Sequence, residues 1–364
     1  MAAVDIAVGG VSALLVISVL GSAVRTVVVP RAEQVLVSTI VFVVVRRLFE
    51  LLAWRRHRWE DRDRILARFA PVALLVLPLV WAALIIVGFS GVLWSLGVDP
   101  WRDALVLSGS SLTTLGFRTT NDLPTLVTSI IEGLIGLGLF ALLISFLPTI
   151  YGAFSRRETT VGKLHIRSTG MGGNASAATM LARSSSVGGL EQMTELWSEW
   201  EDWFVELEET HTSFPMLVYF RSPVPERSWI TAAGLALDAA SVYASSIALE
   251  NKPRAALMIR TGTLSLRRIA DYFGFEYDAD PGPDDPISIE KQEFEAAYQQ
   301  MAAAGVPLWA DRDQCWRDFA GWRVNYDQPL LALAAYTEAP PTQWVSDRGV
   351  TQRRPRIFKR ARRV

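Results

Sequence analysis

Three long stretches with almost no charged residues constrain this chain more than any other feature of its sequence. Residues 6–24 and 69–97 carry no charged side chain, and residues 123–154 carry one, Glu132. A helix of about 20 apolar residues is long enough to cross a bilayer. The sequence therefore predicts an all-α integral membrane protein. Its membrane region is expected at residues 1–154, with spans at about 4–29, 69–97 and 123–154.

A fourth apolar stretch, at residues 34–54, leaves two interpretations open. Only residues 34–45 of it are free of charge, and Arg46 and Arg47 follow at once. An arginine at the centre of a span costs about 2.5–3.5 kcal/mol on insertion scales. The sequence therefore favours an interfacial helix whose arginines reach lipid headgroups, and the alternative is an extra span with arginines that extend to the interface.

The distribution of lysine and arginine predicts the orientation of the chain. Residues 46–68 and the stretch after residue 154 are basic, whereas residues 98–122 hold only two arginines. Because basic loops tend to stay on the cytoplasmic side, we expect a multi-pass protein of the cell membrane with a cytoplasmic C-terminal half. The single cysteine, Cys315, agrees with a reducing compartment.

The loop at residues 99–122 carries the main functional signal. Pro100 suits a first helical turn, and small and apolar residues follow Trp101 at helical spacing, which predicts a helix of about 12 residues. Such a helix is too short to cross the bilayer, and it leads into the sequence TTLGF. A short helix with an extended return predicts a re-entrant loop that is buried in protein or faces water.

This loop resembles the pore helix and selectivity filter of the potassium-channel superfamily, in which the filter reads T-x-G-Y-G-D. Thr114 to Phe117 match T-x-G-[YF], and Trp101 and Ala104 stand where the superfamily has its pore-helix aromatic residue and alanine. The resemblance covers about residues 69–154 and implies a homotetramer that conducts a monovalent cation, potassium, through rings of backbone carbonyls. The implied filter residues are Thr113, Thr114, Leu115, Gly116 and Phe117.

The match departs from the superfamily after Phe117, where Arg118 and Thr119 replace the second glycine and the acidic residue. The single-glycine form resembles the loops of bacterial potassium-uptake transporters, which carry four loops in one chain. Four arginines at an outer mouth would repel cations, so we expect Asp122 or Asp103 to neutralise Arg118 there. The alternative is a non-conducting membrane scaffold or sensor with a relic loop and a partner-binding helical domain.

The span that follows the loop holds further candidate residues. Glu132 is a carboxylate within a predicted span, which makes it a functional candidate. We expect it to support the pore helix together with Trp101 and Ala104, with Arg118 or Arg102 as its ionic partner. Three glycines nearby fit either a gate hinge or close helix packing: Gly133, Gly136 and Gly138.

The C-terminal half is predicted to be a linker (155–186), a helical cytoplasmic domain (187–340) that assembles or gates the pore, and a basic tail (341–364) suited to anionic lipid. Residues 170–175 fit GxGxxA, but helices rather than alternating strands follow, so no dinucleotide cofactor is expected. Residues 318–327, DFAGWRVNYD, fit either a recognition patch or buried Arg–Asp pairing between helices.

The sequence shows no constellation typical of an enzyme. GxSxG, HExxH and P-loop motifs are absent from it. Glu208 and His211 form one ExxH pair, which we interpret as a surface pair on a helix, since di-iron bundles need two such pairs and further carboxylates. We therefore expect no enzyme, no metal and no cofactor. The tail has little aromatic interleaving, so no nucleic-acid partner is expected, and the predicted partners are the lipid bilayer and potassium.

Overall fold

The computed structural model describes residues 2–27, 36–56, 58–170, 175–190, 192–249 and 252–348. Within these ranges the regular elements are all helices, which confirms the all-α prediction. The chain divides into an N-terminal unit, residues 1–152, and a C-terminal unit, residues 153–364. Most of the GxGxxA segment and of the basic tail lies outside the described residues.

The N-terminal unit contains the helices expected to meet the membrane. Three of the described helices are long and apolar enough to cross one, and they lie within Ala3–Val27, Trp59–Ser95 and Leu123–Ser168. This result confirms the three predicted membrane-length helices. The elements are α1 (Ala2–Val27), α2 (Leu36–Trp54), α3 (Trp59–Leu66), α4 (Phe69–Ser95), α5 (Trp101–Leu112) and the part of α6 (Leu123–Ser168) up to residue 152.

Small residues bring α1 and α4 close together. A Cβ atom added at Gly91 would lie 2.1 Å from Ser12 Oγ, and one at Gly88 would lie 2.6 Å from Val16 Cγ2. The glycines therefore let the two backbones approach, as small residues do between membrane helices.

Helix α2 occupies the segment with two open interpretations. It packs against α4 through an edge-to-face contact of Phe42 with Phe69, whose ring centroids are 6.1 Å apart. Arg46 pairs with Glu50 at 2.9 Å on the same helix. This ion pair partly offsets the charge of Arg46. It is compatible with both interpretations, so the interfacial helix and the extra span stay predictions.

The C-terminal unit packs its helices around one large apolar core. Its elements after α6 are α7 (Ala177–Ser186), α8 (Met193–Ser213), a short 3₁₀ helix (Pro215–Tyr219), α9 (Trp229–Ser246), α10 (Pro253–Phe273), α11 (Lys291–Ala303), α12 (Arg312–Arg323) and α13 (Asp327–Thr337).

The predicted linker at 155–186 differs from the structure, because most of it is helical. Helix α6 continues to Ser168 and α7 follows. Val161 and Leu164 are buried, and Arg156 and Lys163 pair with acidic side chains of α8. The polar composition of this stretch thus reflects ion pairing on an amphipathic helix rather than a flexible connection.

The surface pair predicted at Glu208 and His211 is wrong, since the His211 side chain is 1% exposed. Glu208 pairs instead with Arg268 of α10 at 2.5 Å. His211 Nδ1 donates to the Leu207 carbonyl at 2.8 Å, and Nε2 accepts from Arg157 Nη1 at 3.1 Å. With this arrangement the imidazole is neutral and both ring nitrogens are used.

We expect the stability of the C-terminal unit to fall as the pH drops below about 6.5, the ordinary pKa of histidine. Burial, and then the neighbouring Arg157 guanidinium, hold the pKa of His211 well below its usual 6.5. Below that pH the His211 side chain binds a proton in the unfolded chain but not in the folded one. The free energy of unfolding therefore falls by up to about 1.4 kcal/mol per pH unit. Urea unfolding of the full chain in detergent at pH 7.5 and 5.5 measures this loss. His211→Gln should show a weaker pH dependence, and an equal slope in both proteins would contradict the assignment.

Candidate pore loop

Helix α5 ends in a turn that reverses the direction of the backbone. The Thr114 N–H donates to the Ser111 carbonyl at 3.0 Å, and the Leu115 N–H donates to the Ser110 carbonyl at 3.1 Å. This pair of bonds is a Schellman motif, which normally places glycine or asparagine in the left-handed position. Here that position is Thr114, with φ +56°.

The left-handed backbone at Thr114 is strained. A β-branched residue rarely adopts positive φ, and the left-handed region costs roughly 1–2 kcal/mol for a side chain with a Cβ atom. Gly116, two residues later, has φ +68° without this cost. Backbone strain of this kind concentrates at functional sites, where the surrounding structure enforces it.

Ser110 fixes the exit of the loop to the end of α5. Its hydroxyl donates to the Arg118 carbonyl at 3.2 Å and accepts from the Arg118 N–H at 3.0 Å. The Ser110 side chain is buried. The five predicted filter residues, 113–117, therefore form a short projecting loop whose two ends are held together.

The predicted filter residues are exposed in a single chain. Leu115 is 71% exposed and Phe117 is 64% exposed, although both lie between two membrane-length helices in the sequence. Of the two predicted pore-helix residues, Ala104 is buried against Leu93 of α4, whereas Trp101 is exposed. The side of α5 that carries Ala104 thus packs against its own chain, whereas the side chains of the loop at 113–117 stay exposed.

The charged residues at the predicted outer mouth have separate partners. Arg118 Nη2 lies 3.0 Å from Asp103 Oδ2, so Asp103 is the carboxylate that neutralises it. Asp122 instead accepts from the Thr125 N–H at 3.3 Å and the Thr125 hydroxyl at 3.1 Å, as a side chain does when it caps a helix start.

Glu132 connects three helices of the N-terminal unit. It is fully buried, and its Oε1 accepts from the Ser108 hydroxyl of α5 at 2.5 Å. Ser108 Oγ also lies 3.0 Å from the Ile86 carbonyl of α4. The predicted contact of Glu132 with the short helix α5 is thus present. Its role in supporting a filter stays a prediction.

The arginine partner predicted for Glu132 is wrong within the described residues, because Ser108 takes that place. Arg118 is held by Asp103 near the start of α5, whereas Glu132 lies against the middle of that helix. Sequence reasoning missed Ser108, although its position within the short helix signalled it. A serine on the buried side of this short helix needs a polar partner.

The three glycines of α6 have different surroundings. A Cβ atom added at Gly136 would lie 1.9 Å from the Leu112 carbonyl oxygen, and one at Gly133 would lie 3.3 Å from the Ser111 carbonyl oxygen. At Gly138 nothing lies within 4 Å. Close packing against the end of α5 therefore accounts for Gly136, while a hinge at these glycines stays a prediction.

The described residues contain no group of three or more His, Cys, Asp or Glu side chains that could hold a metal ion. No family model, no curated protein and no solved structure matches this chain.

Proposed function

We propose that this chain assembles as a homotetramer in the cell membrane and conducts a monovalent cation, potassium, between four copies of the 113–117 loop. The observation that carries the proposal is the exposed, strained backbone turn at the end of a short helix between two membrane-length helices. The C-terminal unit is cytoplasmic in this proposal and assembles or gates the pore.

The exposure of the loop supports assembly with other copies. Non-helical backbone at membrane depth is tolerated only where protein or water covers it. In one chain the side chains of residues 113–117 are uncovered. Other copies of the chain around a common axis would cover the side chains of these loops. A polar path would remain along the axis, where backbone carbonyls replace the water around a dehydrated cation.

The ion pair between Arg118 and Asp103 removes the electrostatic objection to a cation pathway. Four unpaired arginines at the mouth would repel potassium over a distance of about 10 Å at 0.1 M salt. Each pair contributes no net charge, since the two side chains are 3.0 Å apart. A mouth lined by four such pairs is therefore close to neutral.

Rubidium uptake into liposomes that contain the purified chain tests the proposal directly. We expect uptake well above that of empty liposomes, and altered ion selectivity in Thr114→Ala and Gly116→Asp. The mass of the protein in detergent provides the first check. A monomer or dimer there, or uptake no faster than the lipid leak, would end the proposal.

Asp103→Asn is expected to reduce the cation flux several-fold, because it leaves four uncompensated arginines at the mouth. The loss should shrink as the ionic strength rises, since salt screens exposed charges. Arg118→Gln in the same chain should restore most of the flux. Equal uptake by Asp103→Asn and the wild-type chain at low salt would show that this mouth is not on the conduction path.

The second candidate is a non-conducting membrane scaffold or sensor. The observation that favours it is Arg118 itself, which is bonded back to Ser110 and Asp103 and occupies the place of a filter glycine. A stable tetramer without ion flux would support this candidate and exclude conduction.

A further inference from the structure

The exposed face of α8 and α10 in the C-terminal unit carries both apolar and charged side chains. Phe204 lies against Gly262, and one turn later in both helices Glu208 accepts from Ser265, so the two helices run parallel. Their exposed face carries three large apolar side chains: Val205 (56% exposed), Leu257 (46%) and Leu264 (40%). Leu257 and Leu264 are seven residues apart, a spacing typical of helix–helix seams.

Charge on this face is divided between the two helices. The exposed side of α8 carries acidic residues at seven-residue intervals: Glu195, Asp202 and Glu209. The exposed charges of α10 are the basic Arg254, Arg260 and Arg268 and, near the end of the helix, Asp271, which accepts from the Tyr277 hydroxyl at 3.0 Å. Among the described residues, no ion pair involves Asp202 or Arg260, whereas the acidic residues that face α6, Glu199 and Glu206, are paired.

We propose that this face, the α8–α10 face, binds the same face of a second copy of the chain. A two-fold axis along the helices places α8 of one copy opposite α10 of the other, so acidic and basic rims meet. An axis across the helices would instead oppose like charges. The alignment of Phe204 with Gly262 also places Asp202 level with Arg260, and Val205 close to the level of Leu264.

This pairing would give the interface an apolar centre and a charged rim, the arrangement found in stable protein interfaces. Val205 and Leu264 lie at its apolar centre, and Asp202 and Arg260 lie on its rim. Such a seam buries the apolar side chains that are exposed in one chain, and the charges select the parallel register.

The inference stands independently of ion conduction, and disulfide trapping of the full chain in detergent tests it. The chain has one native cysteine, Cys315, which is buried. Val205→Cys with Leu264→Cys should give a covalent dimer on oxidation. The matched control is Val187→Cys with Leu264→Cys, since Val187 is 81% exposed at the end of α7. Equal dimer yields from the two pairs, or none from the first, would overturn the inference.

Charge reversal in the Val205→Cys, Leu264→Cys chain provides the second test. Asp202→Arg alone and Arg260→Glu alone should each lower the dimer yield about tenfold, because like charges then face each other across the seam. The two reversals together should restore it. A dimer yield that stays low with both reversals present would show that Asp202 and Arg260 do not meet across the interface. If the chain forms this dimer but shows no ion flux, the inference holds and only the proposed conduction is rejected.

Discussion

Arg323→Met is expected to destabilise the C-terminal unit by about 3–5 kcal/mol, the cost of removing one partner from a buried ion pair. The guanidinium is fully buried and donates to Asp238 Oδ1 at 2.6 Å, to Asp327 Oδ1 at 2.8 Å and to the Trp344 carbonyl at 2.8 Å. Methionine fills a similar volume, so the loss would come from charge rather than from a cavity.

The two carboxylates explain why the effect should be large. Burial raises the pKa of the Asp238 carboxyl, and Arg323 opposes that rise. Without the arginine, Asp238 must either remain charged in the core or take up a proton, and both outcomes cost stability. Among the side-chain bonds that the described residues show, Asp327 would keep the two from the Ser288 N–H and hydroxyl.

Urea unfolding of the full chain, followed by tryptophan fluorescence, measures the change. Lys291→Met is the matched control, because its ion pair with Asp313 lies on the surface and should leave the midpoint almost unchanged. Asp238→Asn combined with Arg323→Met should lose less than the sum of the single changes. A midpoint for Arg323→Met equal to that of the control would mean that the buried network contributes nothing.

This network shows what the sequence predicted well in the C-terminal unit. Buried Arg–Asp pairing was one of the two interpretations of residues 318–327. The structure shows the buried pairing. A pattern of residue types shows that a charge needs a partner, but only the fold shows which of many arginines supplies it.

The N-terminal unit shows the same limit at the candidate site. Apolar length predicted the three long helices, and Pro100 with the helical spacing after it predicted α5, because both signals are local. The partner of Glu132 and the carboxylate that neutralises Arg118 depend on how α5 packs against α4 and α6. That packing is set by contacts between residues distant in sequence, such as Ser108 with Glu132, so it was not predictable from one sequence.

Gly136→Ala is expected to remove most of the rubidium uptake, whereas Gly138→Ala is expected to retain it. The added methyl group at Gly136 would lie 1.9 Å from the Leu112 carbonyl oxygen and 2.9 Å from its carbonyl carbon. Backbone atoms cannot rotate away as a side-chain tip can, so α5 and α6 must separate. The movement would pass to Thr113 and Thr114, which follow Leu112 directly.

The comparison with Gly138 separates packing from flexibility. Both substitutions stiffen the same helix, since alanine is the better helix former by about 1 kcal/mol, but only the one at Gly136 meets another backbone. A hinge that uses both glycines predicts similar losses, whereas close packing predicts a loss at Gly136 alone. Thermal unfolding in detergent gives a readout without ion flux, and Gly136→Ala should lower the midpoint while Gly138→Ala should not. If the two variants behave alike in both measurements, the end of α5 is not held by α6 as the structure shows, and the loop at 113–117 loses its support.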